Sequence, residues 1–307
     1  MPSARRAPGA GAPPGRSAAP WWGLATAAAR AGAGLLWFTG GPEVPAPDEA
    51  SVACDACTIA ASALAVVDGL VHGVVSVLPW DRHPAVLARD VTTLDVLSSG
   101  RAALLLRWED PVGTGTGGGD DRGRAGAGAE RCAAWRYLAE ACAVCRAVFE
   151  EDAPSFAGRY LHVAGAVNRP KPVRPGGPPV LVQVPSASVA QVRSGAEGSA
   201  LREVLRVAAA VVCGDDPRDV ATLREVLEDA RHAPDAGRRE DGRPMLVCRT
   251  GGLRPRRLEA ARDAGAEGVI VSLGPQTDDA GRAAQVAAGD ISEAEDRLSR
   301  CFEPWRR

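Results

Sequence analysis

One stretch of the sequence, RHPAVLARDVTTLDVLSSGRAALLL (residues 82–106), contains a helix, a turn and a buried strand in succession. Pro84 is suited to open the helix, because a proline lacks the N–H that a first turn would leave unpaired. The run SSG at 98–100 predicts the end of the helix, since glycine tolerates the left-handed backbone found there. Arg101 then leads into a continuous apolar run, which is typical of a parallel strand covered on both faces.

Six further apolar runs of strand length follow the same pattern. The predicted strands are 33–39, 70–78, 101–107, 179–184, 209–214, 244–249 and 268–273. Helical stretches fall between and around them, at 22–32, 49–63, 84–98, 130–150, 197–208, 217–232, 255–264 and 280–302. This βα rhythm indicates a parallel α/β barrel or a doubly wound sheet.

The chain of 307 residues, 46% of them hydrophobic, is long enough for one large core. Residues 1–20 contain no large apolar side chain, so we predict a disordered tail rich in Pro, Ala and Arg. A Gly-rich insertion at 109–129 predicts a flexible surface loop. We therefore expect one barrel domain over 21–307, and we expect the Pro-rich tail to occupy the place of a first barrel strand.

Charge and hydropathy exclude several classes of partner. The formal net charge of −2 gives no electrostatic basis for binding nucleic acid or an anionic membrane surface. The apolar stretch at 21–38 is interrupted by Arg30, so it does not predict a signal segment. We expect a cytoplasmic protein that takes a small-molecule substrate, and we include a homodimer among the expectations.

Two Cys-x-x-Cys pairs, Cys54 with Cys57 and Cys142 with Cys145, invite a zinc or redox interpretation. Both pairs lie in Ala-rich helical patterns, where residues three apart share a face and cysteine packs as a small hydrophobic residue. Each helix offers two thiols, whereas tetrahedral zinc takes four ligands. We therefore predict that the pairs pack in the core and bind no metal.

Two segments resemble the luciferase-like monooxygenase family of flavin- and deazaflavin-dependent oxidoreductases. The first is 82–106, with its Arg-His-Pro start and its Thr-Leu-Asp-x-Leu-Ser-x-Gly-Arg turn. The second is YLAEACAVCRAVFEEDAPSFAGRYLHVAGAVNRPKPVRPGGPPVLVQV at 137–184. It resembles the family's long helix, Phe-x-Gly-Arg-Tyr hairpin, Asn-x-Pro-x-Pro-Val crossing and Pro-Gly-Gly-Pro-Pro approach to strand five. Weaker similarity extends over 22–40 and 197–273.

The resemblance implies a bacterial luciferase-like (β/α)8 TIM-type barrel with a coenzyme ring in its mouth, at the carboxyl ends of the strands. The coenzyme would be the deazaflavin F-420 or FMN. The Asn-Arg-Pro-Lys-Pro-Val and Pro-Gly-Gly-Pro-Pro segments resemble actinobacterial members that use F-420, whereas Pro-Val-Leu-Val-Gln resembles the FMN-dependent monooxygenase branch. Both choices stay open.

The same resemblance implies coenzyme contacts at the strand ends, and it assigns no catalytic residue. The candidates are Thr39, Ser76, Val77, Arg107, Trp108, Gln183, Ser186 and Ser188, with Trp80 also lining the pocket. Among them Ser76 is the best hydrogen-bond donor to the ring edge. Arg107 would pair with an acidic group of coenzyme or substrate, and the last two serines would offer hydroxyls to an anion.

Several family positions are altered in this chain. Where members carry glycines in strand four, this sequence has Leu105 and Arg107, which obstruct a planar ring unless Leu105 points into the core or toward the helices. Where members have Asp-His after strand two, Thr39 stands instead and does not exchange protons near neutral pH. Pro185 removes one N–H from the segment that would hold a phosphate.

Three functions therefore stay open. The first is hydride transfer between reduced F-420 and a small organic substrate. The second is an FMN-dependent monooxygenase on the same fold. The third is a degenerate, coenzyme-free barrel with a binding role, which the missing first strand and the altered glycine positions favour.

Overall fold

A computed structural model describes eight parts of the chain, residues 35–39, 55–66, 72–80, 82–108, 121–193, 195–231, 244–250 and 255–271. The predicted tail at 1–20, which was to replace a first barrel strand, lies outside the described residues. The predicted helices at 22–32 and 280–302 also lie outside them.

Seven parallel strands form the main sheet of the described chain. In spatial order they are β1 (Leu35–Thr39), β2 (His72–Val77), β3 (Ala102–Leu106), β6 (Val180–Gln183), β7 (Ala210–Gly214), β8 (Met245–Thr250) and β9 (Gly268–Val271). A separate antiparallel hairpin consists of β4 (Phe156–Ala157) and β5 (His162–Val163). Every predicted strand is confirmed with similar bounds, because each is a short apolar run that only a doubly covered sheet position satisfies.

The helices fall between the strands. They are α1 (Ala56–Val66), α2 (Pro84–Leu97), α3 (Asp121–Glu150), the short α4 (Ser186–Val189), α5 (Gly195–Val207), α6 (Pro217–Arg231) and α7 (Pro255–Asp263). Helix α3 begins earlier than predicted, so the predicted loop at 109–129 is helical from residue 121 onward. The alanines and charged residues there extend a helix that is already formed, and each added residue then gains one hydrogen bond.

Helix α2 shows why the stretch at 82–106 folds as predicted. The Nδ1 atom of His83 accepts a hydrogen bond of 3.2 Å from the backbone N–H of Ala85, which caps the helix at its amino end. At the other end Ser99 and Gly100 adopt positive φ angles of 58° and 86°. The N–H of Gly100 turns back to donate to the carbonyl of Asp95 at 2.8 Å, as in common glycine-terminated helices.

Alternation along the strands separates two hydrophobic cores. The inner core consists of strand residues, in which Trp37 packs against Val74, Ala103, Leu105, Leu181, Ala210, Val212, Val247 and Ile270. The alternate residues form the outer core together with the helices, and they include Val75, Leu104, Leu106, Val182, Val211 and Leu246. Among the described residues, helices cover one face of the sheet. On the other face, side chains from different strands of the same sheet pack against one another. The sheet is therefore curled as a barrel, and the doubly wound alternative is excluded.

The connection between α3 and β6 is tied to the amino end of the barrel. Asn168 donates from Nδ2 to Thr92 Oγ1 at 2.9 Å, and the N–H of Val173 donates to Asp95 Oδ2 at 2.9 Å. Arg174 lies between the carbonyl of Gly100 and Nε2 of His72. Because this connecting segment covers the amino end of the barrel, a ligand-binding site is expected at the carboxyl ends of the strands.

No helix in the described ranges is both long and apolar enough to cross a membrane.

Candidate functional site

Strand register places a layer of polar side chains on the inner face at the carboxyl end of the barrel. Thr39 pairs with Ser76, and Ser76 pairs with Leu105 of the inner core. Gln183 pairs with Val212, which also belongs to the inner core. By alternation, the side chains of Ser76, Gln183 and Arg107 share this inner face, and Thr39 holds the register position beside Ser76. Among the residues predicted from the sequence, the structure thus brings together the side chains of Ser76, Gln183 and Arg107, while Thr39 is paired with Ser76 in the backbone ladder.

Ser76 is the most informative member of this layer. Its side chain is 0% exposed, and its Oγ atom has no hydrogen-bond partner among the described residues. A buried hydroxyl without a partner costs about 1 to 3 kcal/mol. This orphaned group is therefore suited to a polar atom of a bound molecule.

Leu105 and Arg107 lie on the inner face of β3 and of the residues directly after it. Leu105 is 0% exposed and packs in the inner core. Pointing into the core is one of the two orientations in which Leu105 would not obstruct a coenzyme ring in the mouth of the barrel. Arg107 lies beyond it, and its backbone N–H extends the ladder by donating to Val77 at 2.9 Å. The Arg107 side chain is buried rather than exposed at a rim.

Two predicted residues, Val77 and Trp108, point away from this layer toward the helices. The Trp108 ring stacks on Trp135 of α3, with 3.9 Å between ring centroids and 3° between planes. Trp135 Nε1 donates to Glu197 Oε1 at 3.4 Å, and Arg131 pairs with the other oxygen of Glu197. Trp108 is thereby tied to α3 and α5, which separates it from the inner-face set.

The remaining predicted residues differ in position. Ser186 is exposed, and its Oγ lies 3.1 Å from the point where a Cβ atom on Gly214 would be. Since Gly214 ends β7 on the inner face, Ser186 belongs to the rim of the same layer. Ser188 is buried within α4, and Trp80 is 44% exposed after β2.

Two inner-face residues were missed by the sequence analysis, Trp37 and Arg249. The Cζ atom of Arg249 lies 5.1 Å from the centroid of the Trp37 ring, within the range of a cation–π contact. The Nε1 atom of Trp37 is buried without a hydrogen-bond partner among the described residues. The available signal was a charged residue at the end of an otherwise apolar strand, LVCRT at 246–250.

The described cysteines of the two Cys-x-x-Cys pairs lie on separate helices. Cys57 is in α1, whereas Cys142 and Cys145 are fully buried in α3. Burial raises the pKa of the Cys145 thiol, which lies 3.5 Å from the carbonyl oxygen of Pro84. Cys54 lies outside the described residues, and no group of three or more potential metal ligands occurs within them.

The sequence profile of the luciferase-like monooxygenase family matches residues 3–298. The chain belongs to the luciferase-like monooxygenase family. Residues 82–106 and 137–184, whose resemblance to the family came from their motifs, both lie within this match. No curated protein matches the chain significantly.

Solved structures of the luciferase-like fold resemble the chain over most of its length. An F-420-dependent secondary alcohol dehydrogenase in complex with an F-420–acetone adduct has a TM-score of 0.59 at 13% identity, covering 93% of this chain and 94% of its own. The monooxygenase RslO1 from Streptomyces bottropensis has a TM-score of 0.54 at 19% identity, covering 93% and 82%. EDTA monooxygenase from Chelativorans sp. BNC1 has a TM-score of 0.51 at 18% identity, covering 78% and 59%. At these identities the likeness establishes the fold, and the barrel prediction is confirmed.

Proposed function

We propose that this luciferase-like protein is an oxidoreductase that binds the deazaflavin F-420 at the carboxyl end of its barrel and passes a hydride between it and a small organic substrate. The observation that carries the proposal is the orphaned hydroxyl of Ser76, buried on the inner face at that end. The F-420-dependent dehydrogenase with this fold supports the choice of coenzyme.

The residues present fit such a group in a defined way. Ser76 would donate a hydrogen bond to a polar atom of the ring edge, and Thr39 stands beside it in register. Gly214 leaves space next to Ser186, where an added Cβ would meet the hydroxyl. Arg107 would hold an acidic group of coenzyme or substrate. When bound, the coenzyme itself supplies the hydride chemistry.

The side chains of this layer position a ligand and do not exchange protons. Threonine and serine hydroxyls such as those of Thr39 and Ser76 can offer hydrogen bonds but do not exchange protons near neutral pH, and the guanidinium of Arg107 offers hydrogen-bond donors only. The apolar inner core below them, with Leu105 and Val212, keeps water from beneath the ligand. We therefore expect orientation and exclusion of water to be the chain's contribution.

Two alternatives have specific support. A monooxygenase reaction is supported by the two monooxygenases with the same fold. FMN in place of F-420 is supported by a riboflavin lyase of this fold that was solved with a modified FMN. A coenzyme-free binding protein is supported by the inner face itself, where the side chains of Leu105, Trp37 and Arg249 already pack inside the barrel.

A fluorescence titration of the purified full-length chain with F-420 and with FMN separates the three. We expect saturable binding of F-420, tighter than that of FMN, and about fivefold weaker binding by Ser76→Ala, the effect of one hydrogen bond. Ser62→Ala is the control, because that exposed hydroxyl bonds only to the carbonyl of Thr58 in its own helix. Tighter binding of FMN than of F-420 would favour the function as an FMN-dependent monooxygenase. If neither coenzyme bound saturably, the coenzyme-free binding protein would be the function that the titration supports.

A further inference from the structure

The segment 78–80 continues the chain directly after β2, the strand that carries Ser76. Pro79 in this segment is buried and, as a proline, has no N–H to donate. Among the described residues, no backbone group of 78–80 forms a hydrogen bond with another backbone group. A side-chain contact that holds this segment therefore also helps to fix the carboxyl end of β2.

Tyr137 of α3 supplies such a contact. Its hydroxyl donates a hydrogen bond of 3.2 Å to the carbonyl oxygen of Pro79. Burial raises the pKa of the Tyr137 hydroxyl above its ordinary value of 10, so the group stays protonated and remains a donor. Within the described parts of the chain, this is the hydrogen bond that the segment 78–80 makes.

The hairpin of β4 and β5 holds the Tyr137 ring in turn. Tyr160 meets this ring edge-on, with 6.3 Å between centroids and 63° between planes. The hairpin is anchored to α3 by Glu140, whose carboxylate accepts the backbone N–H groups of Arg159, Tyr160 and Leu161 at 2.8, 2.9 and 2.9 Å. The orientation of the Tyr137 hydroxyl is therefore set by the fold before any ligand arrives.

We propose that Tyr137 is a positioning residue, which holds the end of β2 so that the Ser76 hydroxyl keeps its place on the inner face. Tyr137 packs against the outer core, so it acts through Pro79 and not by touching a ligand. On the β3 side, the same strand end is held by the N–H of Arg107, which donates to the carbonyl of Val77 at 2.9 Å. Because a hydrogen bond weakens steeply with poor angles, a small displacement of this strand end reduces what Ser76 can offer to a ligand.

This inference deepens the proposed function and rests on it, because Ser76 is the residue on which coenzyme binding was proposed to depend. The position of the strand end is measurable without coenzyme, and its effect on binding is measurable with coenzyme. Two experiments on the full-length chain therefore separate a failure of the inference from a failure of the proposed function.

Amide hydrogen exchange, followed by NMR without coenzyme, tests the strand end. In Tyr137→Phe we expect the amide of Arg107, which pairs with Val77, to exchange about fivefold faster, the effect of one lost hydrogen bond on local opening. Tyr160→Phe is the matched control, because it keeps the ring contact and removes a hydroxyl that has no hydrogen bond among the described residues. The amide of Val173, at the amino end of the barrel, should exchange at the wild-type rate in both variants. Unchanged exchange at Arg107 in Tyr137→Phe, or an equal increase in Tyr160→Phe, would overturn the proposal.

A double-mutant cycle on F-420 affinity tests whether Tyr137 acts through Ser76. Tyr137→Phe should weaken binding by about threefold in the wild-type background. In the Ser76→Ala background the same change should weaken binding by less than about 1.5-fold, because the hydroxyl that Tyr137 positions is gone. A merely structural role would lower affinity equally in both backgrounds, so equal losses would overturn the positioning role.

The two experiments together assign any failure. Faster exchange at Arg107 in Tyr137→Phe, with no coenzyme binding by the wild type, would contradict the proposed function alone. Unchanged exchange in the variant of a protein that does bind F-420 would contradict this inference alone.

Discussion

Arg249 and Trp37 touch across the interior of the barrel, with 5.1 Å between the guanidinium carbon and the ring centroid. Their strands, β8 and β1, are separated in the sheet by β2, β3, β6 and β7. In a flat sheet, strands spaced about 4.8 Å apart would put β8 and β1 about 24 Å from each other. The contact therefore shows that the sheet is strongly curled, since it brings side chains of β1 and β8 together.

A double-mutant cycle measures this contact. We expect Trp37→Leu and Arg249→Met to show a coupling free energy of about 0.5 to 2 kcal/mol, the range of a cation–π contact from exposed to desolvated. Urea unfolding of the wild type, both single variants and the double variant provides the value. Strictly additive effects would show that the contact does not contribute to closing the barrel.

Ser76→Ala should change stability and ligand binding in opposite directions. Without coenzyme, we expect the variant to unfold at the same or a higher urea concentration, because it removes a buried hydroxyl that lacks a partner. With saturating F-420 the wild type should gain more stability than the variant, since only the wild type makes the additional hydrogen bond. A marked loss of stability in the coenzyme-free variant would mean that Ser76 has a structural role instead.

Leu105→Ala tests the inner core. The residue is 0% exposed and packs between Ser76 and Leu181 in register, so we expect a loss of about 2 to 5 kcal/mol in the free energy of unfolding. Leu97→Ala, at a position that is 74% exposed, should change stability by less than about 0.5 kcal/mol. Equal effects in denaturant titrations of the two variants would contradict the inward orientation of Leu105.

Substitutions of Arg107 and Trp108, which are neighbours directly after β3, should affect different properties, coenzyme binding in the first case and stability in the second. Arg107→Ala should weaken coenzyme binding by about 1 to 3 kcal/mol, since Arg107 shares the inner face with Ser76. Trp108→Ala should instead lower the free energy of unfolding by about 3 to 5 kcal/mol, because it empties the stack on Trp135. Coenzyme affinity of folded Trp108→Ala should stay within about twofold of the wild type. A larger loss would place Trp108 in the site after all.

Acid should weaken the crossing at the amino end of the barrel. Burial, followed by the charges of Arg174 and Arg101, lowers the pKa of His72 from its ordinary value of 6.5, against a smaller opposite effect of Asp95. The unfolded chain therefore takes up a proton first, and the stability that neutral His72 provides is lost as pH falls below 6.5. Between about pH 8 and about pH 5.5, Tm should fall more steeply for the wild type than for His72→Gln. Ser62→Ala, which replaces an exposed hydroxyl that does not titrate, should keep the wild-type slope.

The strands and their order along the chain were accessible from the sequence, because a run such as AALLL at 102–106 has only one favourable place in a parallel sheet. The start of α3 was not. Its glycine-rich first turns lack the apolar pattern that predicts a helix, although they continue one that tertiary packing holds in place.

The site was accessible in part, and the limit is geometric. Ser76 with Val77, and Arg107 with Trp108, were each proposed as a pair of neighbouring contacts. Neighbouring side chains in a strand point to opposite faces, so one member of each pair had to face the helices. The contact of Trp37 with Arg249 depends on the curvature of the whole sheet, and no local pattern in the sequence contains that information.

The inner core described above gathers side chains from Trp37 near one end of the chain to Ile270 near the other. During synthesis, the inward faces of the early strands can be fully covered only after β8 and β9 have left the ribosome, because residues of those strands complete the inner core. Folding is slower when contacting residues are far apart in the sequence. Until a parallel sheet is complete, its unpaired strand edges stay exposed and can aggregate. Helices α2 and α3 can already shield the outward faces of β2 and β3, but the inward faces stay open until the last strands emerge. We therefore expect the barrel interior to be the last part to form and the chain to fold slowly.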